Sequence, residues 1–347
     1  MKSYSIGHFI DVDGISSQAV LGRSNARRGI ETVHIDITYR DPIAALRQAT
    51  PEQGEIVRFF DFGYGPVLET PEALGEFKRI ASQGDLEIYD HHKGWPRESE
   101  VYQFARRVVV PRDWDDLSKK CTTQILYWFF GMRDNVSEML SYIANASDFG
   151  DDSVYKSLTD YTKQLEVALR GANNGVTNLS PLDMIQWFKQ FPEDVPLQSG
   201  NKLFESEELW WPQPFLDSAE EYTVRAIYAK EETKRSAQIV GIQVPIGITV
   251  AVIGFADRIL YMKDGVEVLK EVHPDFPIYA CVYSNGSITF SRGTGEVDMS
   301  RFGRAFGGGG RELGSGGFIP NEWMTEPQEE VTKRIKSKLE ETLANIS

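Results

Sequence analysis

Three short apolar runs near the start of the chain each stop on acidic or imidazole side chains. Residues 3–10 run into Gly7-His8-Phe9-Ile10-Asp11-Val12-Asp13-Gly14, residues 55–60 into Asp61-Phe62-Gly63, and residues 86–89 into Asp90-His91-His92. Residues 31–37 and 107–110 read as two further strands. Between the runs lie segments of helical spacing, 16–28, 42–49 and 71–83. The last opens on Thr70-Pro71-Glu72, which combines a capping hydroxyl, a first-turn proline and an early carboxylate. Strands alternating with helices predict an α/β fold, a Rossmann-like parallel sheet with crossover helices. Such sheets bind ligands beyond the carboxyl ends of their strands, so the three clusters are expected to converge.

Helical patterns dominate 117–130, 135–147, 154–169 and 181–191. Residues 192–214 turn irregular and rich in proline, which marks a linker, and 215–238 reads as one long polar helix. A smaller α+β unit follows, with strands at 239–244, 249–253, 278–283 and 287–291, a glycine cluster at 307–310 and a terminal helix over 326–343. The 347 residues thus divide as a metal-binding domain (1–191), a linker with its connecting helix (192–238) and a second domain (239–347). The active site is expected in the cleft between the domains.

The net charge is −14, and no dense Lys/Arg block occurs. A tight hold on long duplex DNA is therefore not expected, because such proteins neutralise many phosphates with a basic stripe. A short phosphorylated substrate remains compatible, since bound cations reverse the local field. The 2 cysteines, Cys121 and Cys281, imply no disulfide framework. No apolar run reaches the roughly 18 residues of a membrane span, and a cytoplasmic protein is expected.

Carboxylates mixed with imidazoles suit Mn²⁺, Fe²⁺, Co²⁺ or Zn²⁺, and oxygen-rich sites also take Mg²⁺. One ion would need three or four such groups, and the clusters offer more. The surplus predicts two ions about 3.5–4 Å apart that share a carboxylate and activate a water. Taken singly, Asp13 or Asp61 would read as a helix or turn cap. Thr122 and Thr123 open a helix after a polar loop, where they could contact substrate, with capping the slightly preferred reading. Asp151 and Asp152 read the same way.

The Asp90-His91-His92 triplet, His8-x-x-Asp11-x-Asp13-Gly14, Asp61 and Ala146-Ser147-Asp148 resemble the four motifs of the Asp-His-His (DHH) phosphoesterases. That superfamily includes RecJ exonucleases, short-oligoribonucleotide and pAp phosphatases, and cyclic-dinucleotide phosphodiesterases. Ser291-Arg292, Val297-Asp298-Met299-Ser300 and Phe306-Gly307-Gly308-Gly309-Gly310-Arg311, with Gly314-x-Gly316-Gly317-Phe318, resemble the DHH-associated domain. Arg311 stands where that family usually has histidine.

The resemblance implies that His8, Asp11 and Asp61 hold one ion and Asp13, Asp61, His91 and Asp148 the other. Asp90 would orient His91, and His92 would face the scissile phosphate. Arg292, Gly308, Gly309, Gly310 and Arg311 would grip a terminal phosphate. The implied activity is hydrolysis of short oligonucleotides or dinucleotides to mononucleotides with two divalent ions. Mn²⁺ is the first expectation, with Mg²⁺ or Co²⁺ as alternatives, and a homodimer is one expected assembly. Two competing readings are a polyphosphate-cleaving phosphoanhydride hydrolase and a nucleotide-binding protein with a decayed site.

Overall fold

The computed structural model describes residues 1–92, 95–96, 98–111, 119–130, 134–150, 156–191, 211–245 and 247–344. The chain divides into two compact units, Met1–Glu220 and Glu221–Ser347. In the first, β1 (Lys2–Gly7), α1 (Val12–Arg27), β2 (Glu31–Asp36), α2 (Pro42–Gln48), β3 (Ile56–Phe60), α3 (Pro71–Gln83), β4 (Asp85–Tyr89) and β5 (Arg107–Val109) alternate as expected. The helices α4 (Thr122–Phe129), α5 (Asn135–Phe149), α6 (Lys156–Asn173) and α7 (Pro181–Gln190) follow. The helix α8 (Gln213–Ser236) begins in the first unit and ends in the second. Sequence expectations at 117–118, 151–155 and 192–210, including Asp151, Asp152 and most of the linker, lie outside the described residues.

The strands pair in parallel in the order β2-β1-β3-β4-β5. Successive side chains leave a strand on opposite faces, and the two cores follow that period. Phe60 and Tyr89 pack against α1, α4, α5 and α7 on one side. Their neighbours Phe59 and Ile88 join Ile6, Ile35 and Val57 against α2 and α3 on the other. Sequence neighbours therefore anchor opposite layers, and the chain must break at the strand end. The strand order reverses between β1 and β3, the switch point where such sheets form their crevice.

Two boundaries move in ways that matter for the site. β1 stops at Gly7 rather than residue 10, and α1 starts at Val12 rather than residue 16. The cause is Asp11, whose carboxylate accepts the Gly14 N–H at 2.9 Å as an N-cap. Asp13 consequently sits in the first helical turn instead of a loop. Gly14 is required there, since a Cβ would lie 2.1 Å from the His8 carbonyl oxygen.

The second unit holds β6 (Gln238–Val244), β7 (Gly247–Ala256), α9 (Met262–Val272), β8 (Ile278–Tyr283), β9 (Ser287–Arg292), α10 (Met299–Ala305), β10 (Gly309–Gly310), β11 (Gly314–Phe318) and α11 (Gln328–Ala344). Its sheet runs β10-β11-β9-β8-β7-β6 and is mixed, with only β7 and β8 parallel. The helices α9 and α10 and the strand β11 were not expected from the sequence. α9 carries Gly265 in its interior, where a Cβ would meet Cys281 Sγ at 2.5 Å, so close packing on β8 overrides glycine's poor helix propensity. Among the described residues, no helix is long and apolar enough to cross a membrane.

Candidate metal centre

All six sequence-predicted ligands converge beyond the carboxyl ends of β1, β3 and β4. His8 leaves β1 into a turn that is pinned twice: Phe9 N–H donates to Asp36 Oδ1 at 2.9 Å, and Asn173 Nδ2 donates to the Phe9 carbonyl at 3.0 Å. His8 Nε2 lies 3.5 Å from Asp11 Oδ2 and 3.4 Å from Asp61 Oδ2. His91 Nε2 lies 3.7 Å from Asp61 Oδ1, 3.9 Å from Asp13 Oδ2 and 3.4 Å from Asp148 Oδ2. The two oxygens of Asp61 thus face two different ligand groups, His8–Asp11 and Asp13–His91–Asp148. Within each of the triads His8–Asp11–Asp61 and Asp13–His91–Asp148, one ligand atom per residue comes within 4.8 Å of the others.

Asp61 is under strain and short of partners. It is the only non-glycine residue with positive φ, at 50°, among the described residues. A conformation of that kind costs on the order of 1 kcal/mol and tends to mark functional sites. Its backbone N–H reaches the Tyr89 carbonyl at 3.1 Å, and the Thr122 hydroxyl donates to Oδ1 at 3.1 Å. Oδ2 is buried with no hydrogen-bond partner, on a residue only 1% exposed. Among the described residues, none of Asp11, Asp13, Asp61 or Asp148 has a Lys or Arg partner.

Burial, then the neighbouring Asp13, Asp11, Asp148 and Asp90 charges, push the Asp61 carboxyl well above the usual carboxylate range. Asp148, with a side chain 17% exposed, is pushed up to about 9 by burial and by Asp13 and Asp11. It also sits at the C-terminal end of α5, where the helix dipole disfavours negative charge. Asp13 goes the other way. Burial raises it, but His91 and hydrogen bonds from Thr123 and Thr122 outweigh that and hold it below the usual range. Like charges crowded together with an orphaned buried oxygen are what a divalent cation would satisfy, and the donor set fits one.

The adjacent histidines diverge. Burial lowers His91 below the ordinary imidazole value, which favours the neutral form that ligates metal. Burial also pulls on His92, but Asp90 outweighs it and holds His92 above that value. Asp90 Oδ1 lies 2.7 Å from His92 Nδ1, and Trp95 Nε1 donates to Asp90 Oδ2 at 2.5 Å. Asp90 touches His91 only through its backbone N–H, at 2.9 Å. In this structure the ring that Asp90 meets directly is that of His92.

Sequence reasoning did not reach the full part played by Thr122 and Thr123, whose groups bond Asp13 and Asp61 rather than merely capping α4. The signal available was the Cys121-Thr122-Thr123 start of a helix lacking a conventional cap. In the second unit, the Gly308 N–H donates to the Gly303 carbonyl at 2.8 Å and is already used. Gly309 and Gly310 form the edge strand β10 instead of an open loop. Arg292 pairs with Glu312 at 2.5 Å. Arg311 is exposed and makes no ion pair among the described residues.

No protein-family model matches the chain, and no curated protein matches it. Solved structures do. An exonuclease RecJ bound to manganese aligns over 100% of this chain and 91% of its own, with 12% identity and a TM-score of 0.57. RecJ from Thermus thermophilus in complex with Mn²⁺ aligns over 97% of this chain and 51% of its own, with 12% identity and a TM-score of 0.51. This chain shares the fold of these RecJ exonucleases. At these identities the likeness is one of fold, and the chemistry rests on the side chains at the sheet edge described above.

Proposed function

We propose that this chain is a divalent-metal-dependent phosphodiesterase that hydrolyses short oligonucleotides or dinucleotides to mononucleotides. The observation that carries this reading is Asp61, which turns one carboxylate oxygen toward His8 and Asp11 and the other toward His91. His8, Asp11 and Asp61 would hold one ion, and Asp13, Asp61, His91 and Asp148 a second, with Mn²⁺ the first candidate. Such ions, when bound, neutralise phosphoryl oxygens and lower the pKa of a water.

The chain's own groups supply the rest. Two neighbouring histidines with opposed shifts divide the roles, a pattern typical of acid–base assignment. His91, whose burial favours the neutral form, would ligate. His92 has Nδ1 tied to Asp90 and a side chain 37% exposed, so its other nitrogen can donate a proton to a phosphoryl or leaving-group oxygen. Two aromatic rings favour a substrate that carries bases. Tyr39, 49% exposed, has its ring centroid 6.3 Å from that of His8, and Phe149, 43% exposed, lies 5.8 Å from His91. Stacking on such rings contributes about 1–3 kcal/mol per base.

Metal analysis with a hydrolysis panel of pApA, cyclic dinucleotides and linear polyphosphate tests this. The expected result is Mn²⁺-dependent turnover of pApA that EDTA abolishes. Faster cleavage of polyphosphate would favour the phosphoanhydride reading instead. Absence of bound Mn²⁺ together with absence of turnover would leave only the decayed-site reading.

A further inference from the structure

Both carboxylate oxygens of Asp13 meet the start of α4. Thr122 N–H donates to Oδ2 at 2.7 Å and Thr123 N–H to Oδ1 at 2.8 Å, while Thr123 Oγ1 lies 2.5 Å from Oδ1. All three residues are buried. The first N–H groups of a helix need acceptors, commonly a side chain at the N-cap. Here the N-cap is Cys121, which makes no side-chain cap, and Asp13 of α1 supplies the acceptors from a different helix. The Thr122 hydroxyl does a second job by donating to Asp61 Oδ1 at 3.1 Å.

Counting lone pairs shows which oxygens stay open. Asp13 Oδ1 takes the Thr123 N–H and is the nearer of the two Asp13 oxygens to the Thr123 hydroxyl, whereas Oδ2 takes only the Thr122 N–H and keeps a lone pair. Asp61 Oδ1 is in the same condition. These two half-open oxygens are the ones that face His91 Nε2, at 3.9 and 3.7 Å. The His8 side has thinner support: among the described residues, Asp11 Oδ1 takes only the Gly14 N–H, at 2.9 Å. Asp61 Oδ2 and His8 Nδ1 have no hydrogen-bond partner, and Asp11 has a side chain 39% exposed.

We propose that Thr122 and Thr123 are positioning residues that preset the cation site of Asp13, Asp61, His91 and Asp148, while the His8–Asp11 side is left to be organised by its ion. The inference rests on the metal-centre reading above. Partners that hold a ligand's remaining atoms typically change metal affinity by about 10–100-fold when removed. Two Mn²⁺ ions are accordingly expected to bind with unequal affinity, the tighter on the His91 side.

Calorimetric titration of the metal-free full chain with Mn²⁺ tests this. Thr122→Val should weaken the tighter class by about 10–100-fold and leave the other unchanged. Thr122→Ser should restore it, and Asp11→Asn should weaken the other class alone. Circular dichroism checks the fold; if Thr122→Val does not fold, Thr122→Ala, which keeps the helix amides on Asp13, gives the same readout. Unchanged affinities in the Val or Ala variant, or failure of Ser to restore them, would overturn the positioning role. If wild type binds no Mn²⁺, the metal reading itself fails, a result distinct from equal binding by wild type and variant.

Discussion

The first unit buries carboxylates in two ways. Asp134 accepts from Arg23 Nε and Nη2, each at 3.1 Å, from Arg27 Nη2 at 3.3 Å, and from the Ser137 N–H and hydroxyl at 2.9 and 2.7 Å. Glu87 is similarly matched by Arg58 Nε at 3.0 Å and the Tyr89 hydroxyl at 3.2 Å. The Asp61 carboxylate, equally buried, accepts one hydrogen bond and has no Lys or Arg within reach among the described residues. A buried charge is ordinarily paired, because leaving it unpaired costs several kcal/mol. The folding chain satisfies Asp134 by itself and leaves Asp61 unsatisfied. What separates these structural carboxylates from the candidate ligands is therefore an Arg partner, not burial.

The largest expected effect comes from removing the unsatisfied member. Asp61→Ala leaves both ligand groups short, so turnover should fall by at least about 10³-fold and bound Mn²⁺ should drop. Stability measured in EDTA should hold or rise, since the variant no longer hides a carboxylate that lacks a partner. A loss of several degrees of Tm in EDTA would place Asp61 with the structural carboxylates and break the distinction.

Asp134→Ala should do the reverse. It strands the buried Arg23 guanidinium, whose remaining acceptors are the Phe188, Lys189 and Phe191 carbonyls. The expected cost is about 3–5 kcal/mol of stability, with kcat per folded molecule unchanged. Denaturant titration beside single-turnover rates separates the two. Next in size, His92→Ala should keep both ions and lose about 10²–10⁴-fold in rate, because it removes a proton donor and no ligand.

Much of this was legible in the sequence where local rules and global packing agree. The parallel order, the strand-end placement of Asp61 and the Asp90-His91-His92 triplet follow from period and residue type. Asp148 could not be read that way, since nothing in a helix end predicts which neighbour it meets. Which neighbour Asp90 meets is not legible in the sequence either, since adjacency makes His91 and His92 equally available, and the backbone's direction after β4 brings the His92 ring to it. Strand β11 hid behind three glycines, which read as turns. There Gly308 lies so close to β11 that a Cβ would fall 2.1 Å from the Gly316 oxygen, which requires glycine to let the strand form. Gly309 and Gly310 were expected as loop amides, and the edge pairing that claims them is a long-range contact.

The finest test of the comparison is the sign of the pH dependence. Asp134 is held below the usual carboxylate range: burial raises it, but Ser137 and Arg23 outweigh that. The unfolded chain then binds the proton more readily, so this contribution is present above about pH 4 and is lost as pH falls through the folded value. Asp148, pushed up to about 9, has the opposite sign. The folded apo chain keeps that proton between about pH 4 and 9 while the unfolded chain has released it, so apo stability declines as pH rises across that window. Discounted for the part of the side chain that meets solvent, the slope should amount to on the order of 1 kcal/mol. Thermal melts in EDTA from pH 5 to 8 should therefore fall gently in wild type and less steeply in Asp148→Asn, where Asp61 still carries its raised carboxyl. Melts from pH 5 down to 3 should drop in wild type and lose part of that drop in Asp134→Asn. Parallel slopes in both variants would mean that the two kinds of buried carboxylate differ in their neighbours but not in what they cost the fold.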